Sequence, residues 1–214
     1  MRVFLKKRIK ITGENNLIDS PKNKRNELLK YATVRIKGNN NHLKIGSPNF
    51  LRDTEIRIYG DNNTIIMPDG CFGKVKIEIK SSDCTVIVGD KSGFMGTEIQ
   101  LWEKGSRVVI GNDCMIAKNT KIYCTDFHAI YHLSEKTPYN QGKEIIVGNH
   151  VWLGEGVALT KNTHLTDNII VGINSTVTKD LTTPYAIYAG NPATLKKTDI
   201  NWHSESYDLS IKSI

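Results

Sequence analysis

Branched aliphatic residues recur at every sixth position over much of the C-terminal half of the chain. From Val147 to Val177 a small residue follows each of them, and the residue four positions later is mostly β-branched or small. A period of six matches neither the 3.6-residue period of a helix nor the two-residue alternation of a simple strand. The repeating positions, which we call the anchors, are Ile110, Ile116, Ile122, Val147, Leu153, Leu159, Leu165, Val171 and Val177.

A short strand followed by a tight corner explains this period. Each anchor would point inward from a flat face, and the small residue after it would let the backbone turn. Three such units would form one triangular coil, and the coils would stack at about 4.8 Å, the spacing of paired strands. The pattern therefore predicts an all-β fold, a parallel β-helix. A β-sandwich, the ordinary alternative, would show a period of two.

A looser repeat precedes the anchors. Its copies are spaced by 22, 21 and 22 residues, and they align on Asn41, Asn63, Cys84 and Ser106. The segment Ile11–Asp19 resembles a degenerate fifth copy. We therefore expect one solenoid with three parts: an N-terminal cap with an irregular first coil at 1–30, the β-helix at 31–192, and a C-terminal cap at 193–214.

The pattern is interrupted after Ile122. The next anchor is Val147, which comes 25 residues later instead of six. The sequence therefore predicts a loop at 127–146 that is extruded from the coil. Insertions in repeat proteins lie on one face, often the binding face, and long loops in compact domains are usually functional. His128 begins this loop, so it is a candidate functional residue.

Composition narrows the class of protein. Only 39% of the residues are hydrophobic and 7% aromatic, which suits an elongated fold with a thin core or an oligomer. No N-terminal apolar segment indicates a secretory signal, and no stretch reaches the roughly 20 apolar residues that span a bilayer. We therefore expect a cytoplasmic protein without membrane insertion. The four cysteines lie far apart and form no CxxC pair, which indicates reduced core thiols.

The net charge favours an anionic partner. The formal charge is +7, and the isoelectric point is about 9.1. The lysines and arginines are scattered, and no basic strip with interleaved aromatic residues accompanies them, which argues against nucleic acid. A phosphorylated cofactor or an acidic polymer fits the charge equally well.

Three motifs carry a resemblance to a known family. TDFHAI at Thr125–Ile130, NHVWLGEGV at Asn149–Val157, and the segment Ser175–Lys197 together resemble the hexapeptide-repeat acyltransferases. The resemblance implies a left-handed β-helix, acetyl-CoA as co-substrate and a homotrimer. His128, followed 24 residues later by Trp152, is similar to the polysialic acid O-acetyltransferases among the sugar and capsule enzymes. We therefore expect acetyl transfer to a sugar hydroxyl of a glycan.

The resemblance also implies catalytic roles. His128 would act as the general base, because a neutral imidazole has a suitable proton affinity near pH 7. Asp126, Glu155 or a backbone carbonyl would orient it. The N–H of Gly154 is a candidate donor to the oxyanion. Transfer would be direct, because no Cys or Ser is placed as a nucleophile beside His128 and Cys124 is expected in the core.

A second set of residues is expected at the cofactor. Trp152 would point outward and contact the acceptor, the thioester arm or a neighbouring subunit. Lysines would bind the phosphates of CoA, although Thr194 occupies a position at which the family often has arginine. The full cofactor set is Trp152, Gly154, Gly172, Lys179, Asn191, Lys196 and Lys197. Within the loop, Tyr131, Glu135, Tyr139 and Asn140 are candidates to contact the acceptor.

Other functions would require different residues in the sequence. A zinc-dependent carbonic anhydrase of this architecture needs three histidines, two of them spaced five apart, yet Glu155 stands where His150 would need its partner. The remaining histidines, His42, His132, His150, His164 and His203, are expected to be hydrated surface residues. An N-acetyltransferase on a nucleotide sugar and an antibiotic acetyltransferase stay open as alternatives. A structural β-solenoid would need no long loop with a histidine.

Overall fold

In a computed structural model of this chain, β-strands are the only regular secondary structure among the described residues. The described residues are 9–20, 32–46 and 53–204. In chain order the strands are β1 Ile9–Thr12, β2 Leu17–Asp19, β3 Ala32–Lys37, β4 His42–Ile45, β5 Thr54–Tyr59, β6 Thr64–Met67, β7 Phe72–Ile79, β8 Thr85–Val88, β9 Gly93–Leu101, β10 Arg107–Ile110, β11 Met115–Ile116, β12 Lys121–Tyr123, β13 Glu144–Val147, β14 Trp152–Leu153, β15 Ala158–Thr160, β16 Thr163–Leu165, β17 Ile169–Val171, β18 Thr176–Val177, β19 Ala186–Ala189 and β20 Thr194–Thr198. Within these ranges no helix is long and apolar enough to cross a membrane.

The strands stack in parallel on three faces. Face A carries β11, β14, β17 and β19, and face B carries β12, β15 and β18. The long strand β9 serves both, because Gly93–Phe94 pairs with β11 and Glu98–Gln100 pairs with β12. Strands β1, β3, β5 and β7 extend the 13-stranded sheet toward the N-terminus, and the 7-stranded sheet from β2 to β16 forms face C. The chain visits the faces in the order A, B, C, so the predicted parallel β-helix is confirmed.

The six-residue period arises from contacts between successive coils. Every anchor is buried, with an exposed fraction of at most 3%. Anchors stack in register on one another, as when Leu153 pairs with Ile116 on one side and with Val171 on the other. Apart from Asp126 at the loop, the residues four positions after the anchors are buried as well, among them Val151, Val157 and Ser175. Each coil therefore contributes two inward residues per face, and both columns of the sequence pattern are core positions.

The longer repeat of the N-terminal coils reflects a corner between faces B and C. Asn41 and Asn63 lie there with fully buried side chains. Nδ2 of Asn63 donates to Oδ1 of Asn41 (3.0 Å), and the N–H of Cys84 donates to Oδ1 of Asn63 (2.9 Å). A column of side chains thus satisfies backbone groups that the tight corner removes from the strand ladder.

A glycine marks the bend of β7 between faces A and B. Gly73 has φ of 101°, a backbone conformation that side chains with a Cβ rarely adopt. A Cβ at this position would lie 1.7 Å from the carbonyl oxygen of Phe94 in the next coil. Glycine is therefore required where the two coils bend together.

The two ends of the described solenoid are built differently. Strands β1 and β2 pair in register with β3 and β4, so residues 9–19 continue the stack of coils. Residues 1–8 and 21–30 of the expected N-terminal cap lie outside the described residues. At the other end, β20 turns back and pairs antiparallel with β19, which ends the parallel stack within the expected C-terminal cap.

Candidate active site

The extruded loop leaves the solenoid at the corner between faces B and C. It connects the end of β12 at Tyr123 with the start of β13 at Glu144. The segment between these strands, 124–143, begins and ends three residues before the predicted loop, although Cys124 still points into the core with an exposed fraction of 0%. His128 lies near the start of the loop and is exposed.

The first arm of the loop is tied to the coil that follows it. Oδ2 of Asp126 accepts hydrogen bonds from Nζ of Lys161 and from Nδ2 of Asn140, the latter at 2.9 Å. Lys161 lies between β15 and β16, at the same corner one coil later. Burial acts to raise the pKa of Asp126, but the bonds from Lys161 and Asn140 outweigh it and lower this pKa. Asp126 is therefore ionised at neutral pH, and it binds the loop to the following coil through Lys161.

Asn140 joins the two arms of the loop next to His128. Its Nδ2 also donates to the carbonyl oxygen of His128 (2.9 Å), and its Oδ1 accepts from the N–H of Ile130 (2.8 Å). The N–H of Tyr139 donates to the carbonyl oxygen of Ile130 (3.1 Å). The returning arm thus binds the backbone from His128 to Ile130.

The imidazole of His128 has no hydrogen bond to any described residue. Asp126 is engaged as above, and Oε1 of Glu155 accepts from Nδ2 of Asn119 (3.2 Å). The structure therefore brings Asp126 to the base of the loop and leaves Glu155 at the corner between faces A and B. Neither carboxylate orients the ring within this chain, and the orienting group stays a prediction.

Aromatic rings pack against one another at the start of the loop. Phe127, with φ of 64°, packs edge-on against Trp102 (4.8 Å between centroids) and Tyr123 (5.2 Å). Nε1 of Trp102 donates to Oε1 of Gln100 (2.9 Å), and Nζ of Lys80 lies 3.8 Å from the Trp102 ring centroid. This packing fixes the left-handed turn immediately before His128.

The carboxyl group of Glu103, next to Thr125, has one buried oxygen without a hydrogen-bond partner. Oε1 of Glu103 accepts from Oγ1 of Thr125 (2.8 Å), whereas Oε2 is buried without a partner in the described part of the chain. Burial raises the pKa of Glu103, and the charge of Asp126 adds to the effect, against the opposing influences of Thr125 and Lys161. The charged form is thus disfavoured by the fold.

Replacing Glu103 by glutamine is expected to change the pH dependence of stability. Because the pKa of Glu103 is raised in the folded state, wild-type stability is lost as the pH rises through that pKa, whereas glutamine does not ionise. The Tm of Glu103→Gln relative to wild type should rise by about 1–2 °C between pH 4 and pH 8. Thermal unfolding at both pH values measures it, and a pH-independent difference would contradict it.

The cysteines are core thiols, as predicted. All four are free and buried. Burial raises the pKa of Cys124 to about 12, and it likewise raises the pKa values of Cys71 to about 12 and Cys114 to about 11. Cys124 is therefore protonated at neutral pH and shielded from solvent, although it is four residues from His128.

Trp152 projects from face A, as the sequence predicts. Its exposed fraction is 42%, and it stands between Met115 and Ile170 in the outward column of that face. The edge that carries His128, between faces B and C, is the edge opposite this face. The two predicted site residues therefore lie on different sides of one chain's prism.

A residue missed from sequence, Trp202, packs beside Trp152. The centroids of the two rings are 6.1 Å apart. Trp202 also stacks on His150 (4.2 Å, 10° between planes), and its Nε1 donates to the carbonyl oxygen of His150 (3.0 Å). Nδ1 of His150 is bonded to Oδ2 of Asp113 (2.8 Å). The expectation that His150 is a hydrated surface histidine is therefore wrong, because the C-terminal segment folds back over it.

The predicted glycines have a packing role in this structure. The N–H of Gly154 donates to the carbonyl oxygen of Val171 (2.8 Å), so it is not free to bind an oxyanion. The N–H of Gly172 likewise donates to Tyr188 (2.8 Å). A Cβ on Gly154 would lie 2.8 Å from the backbone nitrogen of Ile173, so a side chain there would separate the coils.

The remaining predicted cofactor residues are exposed near the C-terminal end of the solenoid. Lys179 follows β18, and Lys196 and Lys197 lie on β20. Asn191 lies in the turn between β19 and β20 and precedes Pro192 through a cis peptide bond. Among the described residues, no group of three His, Cys, Asp or Glu side chains could hold a metal ion.

The parallel β-helix of hexapeptide coils is the fold of the hexapeptide-repeat acyltransferases, which this chain resembles. Among curated proteins it is similar to the polysialic acid O-acetyltransferase of Neisseria meningitidis, with 38% identity over 124 residues that cover 58% of this chain and 57% of that protein. The polysialic acid O-acetyltransferase of Escherichia coli O1:K1 is 30% identical over 129 residues, covering 60% of this chain and 42% of that protein. These matches span about half the length of the curated relatives. No family model matches the chain.

Solved structures agree with the sequence matches. The polysialic acid O-acetyltransferase OatWY superposes with a TM-score of 0.77 at 27% identity, covering 95% of this chain and 94% of that one. The polysialic-acid-specific acetyltransferase NeuO gives a TM-score of 0.69 at 26% identity, covering 94% and 90%. The resemblance that the motifs indicate and the left-handed parallel β-helix are thereby confirmed.

Proposed function

We propose that this protein is an acetyl-CoA-dependent O-acetyltransferase that acetylates a sugar hydroxyl of an acidic glycan, such as a capsular, lipopolysaccharide or sialic-acid-containing polymer. The observation that carries the proposal is the exposed His128, held at the base of the extruded loop, in a fold shared with the polysialic acid O-acetyltransferases. The charge of +7 suits an acidic acceptor.

The chemistry requires one base and no covalent intermediate. His128 takes the proton of the sugar hydroxyl as its oxygen attacks the thioester carbonyl, giving a tetrahedral oxyanion. When the C–S bond breaks, the imidazolium returns its proton to the CoA thiolate, leaving an acetyl ester and free CoA. The buried, protonated Cys124 supports direct transfer, because it is not available as a nucleophile.

The positions of His128 and Trp152 favour a site made by two chains. His128 lies on the edge opposite face A, from which Trp152 projects. A site that uses both residues must therefore combine one chain's loop with another chain's face A. This supports the homotrimer that the family resemblance implies, with acetyl-CoA bound in the groove between neighbouring solenoids.

The exposed lysines near the C-terminal end supply charge for the cofactor. We propose that Lys179, Lys196 and Lys197 bind phosphates of CoA, with Asn191 shaping the adjacent turn. Lys196 would compensate for Thr194, which replaces the arginine that is frequent in the family. The close coil stacking at Gly154 and Gly172 would give the pantetheine arm a flat wall.

An acceptor panel tests the proposal. Purified protein is incubated with acetyl-CoA and polysialic acid, other acidic capsular glycans, lipopolysaccharide, neutral oligosaccharides, an amino sugar nucleotide or an aminoglycoside antibiotic, and the release of CoA thiol is measured. We expect alkali-labile acetyl esters on an acidic glycan. Transfer only to an amine would support the N-acetyltransferase alternative, and failure to bind acetyl-CoA would support a structural solenoid.

Replacing Trp152 by alanine is expected to raise a KM by about tenfold, because the exposed indole would lose its contact with the thioester arm or the acceptor. Steady-state kinetics with each substrate varied in turn shows which KM changes. Ile170→Ala, in the same outward column one coil later, is the matched control and should change neither KM. A changed oligomeric state without altered KM in the trimer would instead assign Trp152 to subunit packing.

A further inference from the structure

We propose that Asn140 is a positioning residue, which holds His128 in its reactive position by binding the backbone at His128 and Ile130 and the side chain of Asp126. This inference rests on the proposed function, in which His128 is the base. Asn140 belongs to the returning arm of the loop, 12 residues after His128. The sequence indicates it only as a candidate contact to the acceptor.

The orientation of the Asn140 amide follows from its three partners. The N–H of Ile130 is a donor, so it must face Oδ1 of Asn140 (2.8 Å). The carbonyl of His128 and the carboxylate of Asp126 are acceptors, so they must face Nδ2 (2.9 Å each). All three bonds fit one orientation of the amide. An aspartate at this position would keep the acceptor and lose both donors.

The same amide links His128 to the body of the solenoid. Asp126, which accepts from Asn140, also accepts from Lys161 of the following coil. The N–H of Phe127 is bound by Oγ1 of Thr125 (2.9 Å), which fixes the preceding turn. A continuous path of hydrogen bonds thus runs from Lys161 through Asp126 and Asn140 to the backbone of His128.

The backbone is the means by which this chain controls the imidazole. No described residue forms a hydrogen bond with the ring, so the ring position depends on where the loop places its Cα atom and carbonyl. A general base must lie within hydrogen-bond reach of the hydroxyl proton. A displacement of about 1 Å can cost about a hundredfold in rate, so loss of Asn140 should act on turnover rather than on binding.

The test compares Asn140 with Asn162, an asparagine between β15 and β16 that also binds the loop. Asn140→Ala should lower kcat about ten- to a hundredfold and leave the KM values for acetyl-CoA and acceptor within about twofold. Asn140→Asp, which conserves volume, should be impaired at least as much, because its carboxylate would face Asp126 and the carbonyl of His128. The matched control is Asn162→Gly, because Asn162 has φ of 59°, a conformation that glycine tolerates. Asn162 binds the N–H of Lys143 and the carbonyl oxygen of Gln141 in the loop but makes no hydrogen bond to His128.

The outcomes separate this inference from the proposed function. Asn162→Gly should keep kcat within about threefold of wild type, and all variants should retain the wild-type Tm within a few degrees. If His128→Ala is inactive while Asn140→Ala and Asn140→Asp turn over normally, the positioning role is refuted and the base assignment stands. Equal losses in Asn140→Ala and Asn162→Gly, or an effect confined to KM, would also refute it. An active His128→Ala would refute the base assignment and this inference together.

Discussion

Replacing His128 by alanine is expected to lower kcat by about 10²–10⁴-fold, because the sugar hydroxyl would lose the base that removes its proton during attack. Acetyl-CoA binding should remain, since the exposed ring forms no hydrogen bond with any described residue and the loop is held by Asn140 and Asp126. Initial rates of CoA release with the acceptor identified in the panel, together with calorimetric titration of acetyl-CoA, measure the two effects separately.

A second loop histidine offers the control for this prediction. His132 is exposed and stacks on Tyr139 at 4.6 Å, at a distance of four residues from His128. His132→Ala should retain most of the activity. Full activity of His128→Ala, or an equal loss in both variants, would remove His128 from its role as the base.

Replacing Asn63 by alanine is expected to lower the free energy of unfolding by about 2–4 kcal/mol. The change would leave the buried N–H of Cys84 without its acceptor and would remove the bond that Nδ2 of Asn63 donates to Asn41. An unpaired buried backbone donor carries its full desolvation cost, and a cavity would add to it. Urea unfolding followed by far-ultraviolet circular dichroism provides the measurement.

The neighbouring Asn62 tests whether burial is the cause. It forms the same kind of coil-to-coil bond, to Asp83 at 3.0 Å, but its side chain is exposed. Asn62 has φ of 57°, so glycine is the substitution that the backbone tolerates. Asn62→Gly should cost less than about 1 kcal/mol, because water replaces the lost partners. Comparable losses of unfolding free energy in the two variants would show that burial of the Asn63 side chain does not cause the loss.

The solenoid was predictable because its core contacts repeat along the sequence. Each anchor packs on the same column of the next coil, so inward positions such as Leu153 and Val171 recur at a fixed interval. The outward position of Trp152 follows from the same count. The register of the first coil at β1 was harder to predict, because its strand Ile9–Thr12 is mostly exposed and shows little of the inward pattern.

The loop contacts were not predictable because they follow no period. Asp126 binds Lys161, which lies 35 residues later, and the interval is set by an inserted segment rather than by the coil. His150 was misjudged for the same reason, since its partner Trp202 follows 52 residues later in a segment that turns back. The sequence could place His128 at the loop. It could not show that Asn140 binds its backbone.

The antiparallel strand β20 covers the last parallel strand of the solenoid on face A, β19. A stack of parallel strands presents a row of free backbone groups at its last coil, onto which a further molecule could add. On face A this border is occupied by β20, whose antiparallel pairing with β19 interrupts the polarity that continued growth would need. The strand thereby opposes fibre formation through this face and favours a particle of finite length.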